Sequence, residues 1–474
     1  MKKKHIHFIG VKGVGIAPLA VIAKEAGFTV TGCDIAEEFI TDIQLKKAGI
    51  EPLIGFSKDH LNGVDIVITT GAHGGYDNPE VKVAKLLSMD VITQGEAAGL
   101  FMSGAFFNRS LTGISVAGSH GKTTTTAFIA TMLSHAMKDP SYLVGTSELL
   151  PLGSSGHFGH GSYFVAEADE YATEPQHDKT PKFLWQHPEI GVITNIELDH
   201  TDLYPTLEDI SNAFLQFANG IESGGVLVAC GDDREVRKIM NFMQTRVITY
   251  GFLEGNDFRI SKVSHSGEQT FFWVESNGTD LGEFSIKVPG DHNALNALAT
   301  LVVGLELGLS LDVIKKGLME FRGTKRRLEF RGLLPSGARV FDDYAHHPTE
   351  IKKTLKGLED RYPKSEIVCI FQPHTYSRTK ALFDDFSKAF DGAKEVVITD
   401  IYASLREEKD ETISSEMLVK KLIESGIKAR HISSVDEVHT LLSEDPYSSK
   451  TIVVIMGAGN IYKALDNLTL SDKV

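Results

Sequence analysis

The stretch Gly118-Ser119-His120-Gly121-Lys122-Thr123 follows an apolar run over 111–117 and precedes a helical pattern over 124–137. A buried strand that turns through glycines into a helix is half of a βαβ unit, and such units build parallel sheets. The turn aims backbone N–H groups, the positive end of the helix dipole and a lysine at one point, which suits a polyphosphate. Only two residues separate Gly118 from Gly121, so the spacing is shorter than that of the common P-loop. The mechanics are the same. Gly121 lets the backbone approach phosphate, Lys122 brings a point charge and Thr123 offers a hydroxyl to Mg²⁺. Gly118, Ser119, His120 and Thr124 complete the candidate ATP contacts. A solvated Lys-Thr turn is the plain alternative.

The alternation extends to both sides. Apolar runs at 5–9, 29–33, 64–69 and 90–93 read as strands, with helices over 16–26 and 79–87. Beyond the loop, strands are expected at 163–166, 190–194 and 226–230. A small antiparallel sheet is expected from 257–263, 270–275 and 283–288, then a helix over 294–307. From residue 323 the strands are 340–343, 366–371, 395–399 and 451–455, and 404–412 reads as a charged, solvated loop. A chain of 474 residues exceeds one ordinary core. A junction at Asn108-Arg109-Ser110 and another near 322 divide it into 1–108, 109–322 and 323–474.

Composition narrows the setting. The net charge of -15 argues against a non-specific nucleic-acid binder. Three scattered cysteines suggest neither a disulfide framework nor a zinc ribbon, which fits a reducing cytoplasm. Met1-Lys2-Lys3-Lys4 imitates the start of a signal peptide, but Lys12 and three glycines interrupt the apolar segment. No run approaches the ~20 apolar residues of a membrane span, so no membrane partner is expected.

Strand ends supply the remaining candidates, because ligands of parallel sheets bind beyond the carboxyl ends of strands. Gly10, Gly13 and Gly15, with Val14 between them, follow the first strand, and Asp34 ends the second, placed to meet a ribose or base. The glycine order differs from the dinucleotide fingerprint. A dehydrogenase, or a glycine turn with no ligand, therefore stays open on that segment alone. Glu167-Ala168-Asp169-Glu170 follows the strand at 163–166. A carboxylate such as Glu167 can hold Mg²⁺, which takes oxygen ligands and keeps several waters. Thr194-Asn195-Ile196-Glu197-Leu198-Asp199-His200 ends a third strand, and His200 is either a ligand or acid/base group or a structural histidine.

Taken in order, these three clusters resemble the ATP-dependent Mur ligases of peptidoglycan synthesis. The resemblance continues at Pro289-Gly290-Asp291-His292-Asn293-Ala294-Leu295-Asn296, at Gly323-Thr324-Lys325-Arg326-Arg327 and at Asp342-Asp343-Tyr344-Ala345-His346-His347-Pro348-Thr349-Glu350. It thus covers nearly the whole chain. It implies an α/β protein of three domains: a Rossmann-like domain for a UDP-sugar, a central P-loop-type ATPase domain and a Rossmann-like C-terminal domain. It also implies that ATP phosphorylates the lactyl carboxylate of UDP-N-acetylmuramate and that an amine then attacks the acyl phosphate. Lys122, Glu167, His200, Arg327 and Asp343 are the catalytic candidates that the resemblance supplies. Thr123, Glu167 and His200 fall on metal positions. Asn293, Asn296, Arg327 and Asp343 fall on nucleotide and phosphate positions. Tyr344, His346, His374 and Arg378 match the region receiving the amino acid.

Two segments bear on which amine is used. Phe371-Gln372-Pro373-His374-Thr375-Tyr376-Ser377-Arg378-Thr379 and Gly457-Ala458-Gly459-Asn460-Ile461 resemble the branch of the family that adds L-alanine. The segment 171–183 is similar instead to the branch that attaches a recycled tripeptide to the same UDP-sugar. Three features depart from the family pattern on the sugar-nucleotide side: Lys12 stands where glycine is usual, Gln94 where arginine is expected, and the loop 69–78 is long. Small-molecule substrates, a monomer or weak dimer, and domain closure during turnover are the remaining expectations.

Overall fold

A computed structural model describes residues 4–266, 269–403 and 407–471. Three sheets carry the architecture. The first is fully parallel, in the order Leu53–Ile54, Thr29–Asp34, His5–Ile9, Ile66–Thr69, Asp90–Thr93. The chain starts at the central strand, fills one side and returns to fill the other. The strand order therefore reverses between His5–Ile9 and Ile66–Thr69, and a crevice opens at their carboxyl ends.

The second sheet has ten strands. Its parallel core runs Arg246–Gly251, Val226–Cys230, Ile190–Ile193, Thr112–Ala117, Tyr163–Glu167, Ser141–Leu143. Near-continuous apolar strands such as Val226–Cys230 are buried along their whole length, as strands covered on both faces must be. The strands Phe258–Ser266, Gln269–Ser276 and Thr279–Ile286, expected to stand apart as a small sheet, instead extend one edge of this sheet. Tyr250-Gly251 pairs in parallel with Phe258-Arg259, which makes the extension continuous.

The third sheet has six strands, in the order Glu329–Leu333, Arg339–Asp343, Thr451–Met456, Glu366–Phe371, Ala393–Thr399, Ala429–Ile432. Only the first pair is antiparallel. The late strand Thr451–Met456 inserts between two earlier ones, so loops distant in sequence share one edge. The first two sheets belong to one compact unit, Met1–Ser264, Phe271–Lys287 and Asn293–Thr324. The third belongs to a second unit, which also takes His265–Thr270 and Val288–His292. Among the described residues no helix is long and apolar enough to cross a membrane. The predicted loop at 404–412 falls partly outside the described residues; Glu407 to Thr412 carry no helix or strand.

Candidate active site

In the ten-stranded sheet Thr112–Ala117 lies between Tyr163–Glu167 and Ile190–Ile193. Three consecutive strand ends thus deliver Gly118 to Thr123, Glu167 to Glu170 and Thr194 to His200 to one edge. The loop is stitched to the third cluster. Asn195 Oδ1 accepts from the His120 N–H at 2.9 Å, and Ser119 Oγ accepts from the Glu197 N–H at 2.8 Å. His120 is buried, with Nε2 3.4 Å from Glu197 Oε2. Gly118 holds φ +141°, and a Cβ there would lie 2.0 Å from Thr194 Oγ1. That position needs glycine for its backbone and for space alike. Gly121 caps the helix Lys122–His135 in the left-handed conformation. A Cβ on it would lie 2.8 Å from Asn296 Oδ1. Asn296 in turn donates to Asn293 at 3.1 Å, so both predicted nucleotide residues stand at the loop. Thr124, the third residue of the helix, is half-buried.

Charge organises the floor of the loop. The Lys122 ammonium bonds Glu170 at 2.8 Å and the carbonyls of Gly118 and Ser119. Burial opposes its charge, but Glu170 and Glu167 more than offset this and raise its pKa. Glu170 is 1 % exposed and is the residue whose role sequence reasoning missed. His200 Nε2 lies 3.6 Å from its Oε1. Thr123 donates its hydroxyl to Glu167 Oε1 at 3.1 Å, while the Gly145 N–H holds Oε2 at 2.8 Å. Asp169 is pulled well below the ordinary carboxylate range: burial works against this, and Lys182 at 2.8 Å prevails.

In the N-terminal sheet Gly10 sits at the crevice with φ +76°, and a Cβ there would meet Thr70 at 2.6 Å. Gly13, Val14 and Gly15 follow, half-buried. Gln94, at the position where arginine was expected, packs on the loop: a Cβ on Gly15 would lie 2.2 Å from its Nε2. Asp34, placed by its strand end to meet a ribose or base, also has partners within the protein. Its buried carboxylate accepts the Lys12 and Ile35 N–H groups, each at 2.8 Å, and lies 3.1 Å from His73 Nε2. Its oxygens are engaged in holding the glycine loop. The Lys12 ammonium donates to the carbonyls of Ile35 and Glu37 at 3.1 and 2.8 Å and lies 3.8 Å from Asp42 Oδ1, so it is directed back into the protein.

The two extra segments noted in the sequence meet each other. Ala172–Glu174 and Asp178–Pro181 form an antiparallel hairpin. From it His177 reaches Asp77 at 2.7 Å, and Pro175 packs where a Cβ on Gly71 would stand. The long loop and the long hairpin are therefore one packed feature.

The second unit gathers its own candidates at strand ends. Asp343 closes Arg339–Asp343 and is buried; it accepts from the Leu328 and Ala345 N–H groups at 2.8 and 2.7 Å. Burial raises its pKa to about 6 against the pull of Arg327. Arg326 and Arg327 part company. Arg326 is 5 % exposed and donates to the Gly457 carbonyl, bracing two strand-end loops. Arg327 is half-exposed, 3.3 Å from Glu350. Tyr344, His346, His374 and Arg378 come together: His346 packs edge-on against Tyr344 and against His374, with centroids 5.3 and 6.1 Å away. Arg378 donates to His374 Nδ1 at 3.3 Å. Tyr402 stacks on His374 at 5.7 Å and was not foreseen. Thr375, a β-branched residue at φ +67°, carries strain of a kind that clusters at functional sites.

The arrangement offers a phosphate loop, an oxygen-donor pair and an arginine–histidine cluster. Comparison with known proteins agrees. The Mur ligase family catalytic-domain model matches residues 5–105, the Mur ligase middle-domain model 116–304 and the Mur ligase glutamate-ligase-domain model 326–459. A UDP-N-acetylmuramate–L-alanine ligase of Desulfitobacterium hafniense is 39% identical over 98% of this chain and 99% of its own. The UDP-N-acetylmuramate-alanine ligase structure from Thermotoga maritima superposes with TM-score 0.79 at 28% identity, covering 97% of each chain. A murein peptide ligase from Psychrobacter arcticus shares the fold, with TM-score 0.71 at 24% identity over 99% of this chain and 100% of its own. The chain belongs to the Mur ligase family.

Proposed function

We propose that the protein joins L-alanine to the lactyl carboxylate of UDP-N-acetylmuramate, at the expense of ATP, in peptidoglycan synthesis. The observation that carries this reading is the meeting of Lys122 with Glu170 and of Thr123 with Glu167 at adjacent strand ends. The name and full-length similarity of the Desulfitobacterium ligase support the choice of substrates.

A carboxylate is a poor acyl donor because oxide is a poor leaving group. One carboxylate oxygen therefore attacks the γ-phosphorus of ATP and ADP leaves. The amine nitrogen, as its free base, then attacks the carbonyl carbon; phosphate departs with that oxygen, and the nitrogen sheds one proton to solvent. The first step brings two anions together, and Lys122 with the N–H groups at the helix start supplies the positive field it needs. Thr123 and Glu167 present hard oxygen donors of the kind that Mg²⁺ takes, with His200 as the third candidate. When bound, such an ion offsets charge on the triphosphate. Asn293 and Asn296 line the nucleotide side, and Arg327 and Asp343 are assigned to phosphate.

The glycine loop at Gly10, Gly13, Val14 and Gly15 takes the UDP-sugar, with Asp34 shaping it. Tyr344, His346, His374 and Arg378 take the amino acid, whose α-carboxylate a guanidinium can grip bidentately. The segments 1–108, 109–322 and 323–474 divide these tasks, and a cytoplasmic setting with ATP suits them. The hairpin over 172–181 favours a second reading, ligation of a recycled tripeptide. However, it is bonded to Asp77 on the sugar-nucleotide side, and both reactions share that substrate.

The acyl-phosphate route has a direct check. UDP-N-acetylmuramate labelled with oxygen-18 in its lactyl carboxylate should release phosphate carrying one labelled oxygen. Unlabelled phosphate at full turnover contradicts the route.

A further inference from the structure

One cluster of the N-terminal sheet has no part in the chemistry above. His7 lies on the central strand and Cys33 on its neighbour; His60 lies in the turn Lys58–Leu61 and Glu80 in the first turn of the helix Pro79–Leu86. Their donor atoms all lie within 4.8 Å of one another. His7, Cys33 and Glu80 are fully buried, and the His60 side chain is 17% exposed. Glu80 Oε2 lies 3.1 Å from both His7 Nε2 and Cys33 Sγ, and Oε1 lies 2.7 Å from His60 Nδ1.

A buried carboxylate needs hydrogen-bond donors, and the Ser57 N–H at 2.7 Å already provides one. The other three donors are all side chains that ligate metals. Tetrahedral zinc, with bonds of roughly 2.0–2.3 Å, sets its ligand atoms roughly 3.3–3.8 Å apart. The contacts of Glu80, at 2.7–3.1 Å, are hydrogen-bond distances a few tenths of an ångström shorter than that, and all four donors lie within 4.8 Å, so small side-chain shifts would open the cluster to an ion. Charge agrees as well. A thiolate, a carboxylate and two neutral imidazoles neutralise one divalent cation, the least costly state for a buried site. The support expected behind metal ligands is also present. His7 Nδ1 lies 2.9 Å from Thr31 Oγ1, which leaves Nε2 facing the cluster, and the Ser57 N–H orients the carboxylate.

We propose that His7, Cys33, His60 and Glu80 form a structural site for a borderline-soft divalent transition-metal ion, zinc by geometry and ligand type. Sulfur and imidazole ligands favour such an ion over Mg²⁺ or Ca²⁺. Binding displaces the Cys33 thiol proton to solvent. The ion would tie two parallel strands to a turn and a helix. It would sit one residue before Asp34, which holds the glycine loop through the Lys12 N–H.

Cobalt(II) titrated into the chelator-treated full chain tests this. The expected result is a thiolate-to-cobalt charge-transfer band with intense tetrahedral d–d bands, complete at about one equivalent and erased by added zinc. Cys33→Ser should abolish the charge-transfer band. Thr31→Val, which leaves all four ligands in place, should weaken binding by about 10–100-fold. Absence of the band in the wild-type protein overturns the proposal, without reliance on any variant folding. So do weak octahedral bands alone, or a band that survives Cys33→Ser and so belongs to Cys230 or Cys369. Ligation of L-alanine is read separately, so failure of the metal site leaves the proposed function standing.

Discussion

Lys122→Ala is expected to slow ligation by about 10²–10³-fold, the loss seen when one donor to a developing anion is removed. The reason lies in where the ammonium is held. It follows the glycine turn, within the carboxylate cluster of Glu167, Asp169 and Glu170, which keeps it charged. Phosphoryl transfer offers little covalent work to a protein, so most of the rate must come from position and field. Both reacting groups are anions, and a cation at the loop acts on their encounter more than on either alone. The rate should therefore fall far more than ATP affinity does. Single-turnover phosphate release at saturating ATP, measured on protein shown to be folded, separates the two. An unchanged rate removes Lys122 from the mechanism.

The second large effect concerns stability. Glu170→Ala should destabilise the first unit by about 3 kcal/mol, because removing one partner strands a buried charge. Glu170 is 1% and Lys122 13% exposed in their side chains, with nitrogen and oxygen 2.8 Å apart. Surface pairs are worth far less, so magnitude distinguishes the cases. The double variant Lys122→Met with Glu170→Ala should recover most of the loss, since neither charge is then left alone. Urea denaturation of the single and double variants closes the cycle. Losses that simply add would mean that the two side chains are not coupled, and that Glu170 does not set the resting position of the lysine.

Much of this site was legible in the sequence because strand ends announce themselves. An apolar run ending in Gly118, and others ending near Glu167 and Thr194, mark where a parallel sheet presents its residues. The order of the strands was not legible. Only pairing shows that 112–117 lies between 163–167 and 190–193, which is what makes three clusters one site. Glu170 was missed because nothing local distinguishes it from Glu167 and Asp169; the lysine that selects it is 48 residues away. Asp34 was read as meeting a ribose or base from its place after the second strand; its bonds to the Lys12 N–H and His73, which tie it to the glycine loop, left no mark in the sequence. The antiparallel strands from 258 onward were found but not their continuity with the main sheet, since edge pairing leaves no mark in periodicity. His7, Cys33, His60 and Glu80 are equally scattered, and only the fold gathers them.

The amine is the centre of the account, and a substrate-dependence assay tests it most directly. ADP release is measured with ATP and UDP-N-acetylmuramate, adding L-alanine or the recycled tripeptide in turn. L-alanine should support turnover with the higher kcat/KM. A preference for the tripeptide would contradict the account and transfer the protein to the other branch of its family.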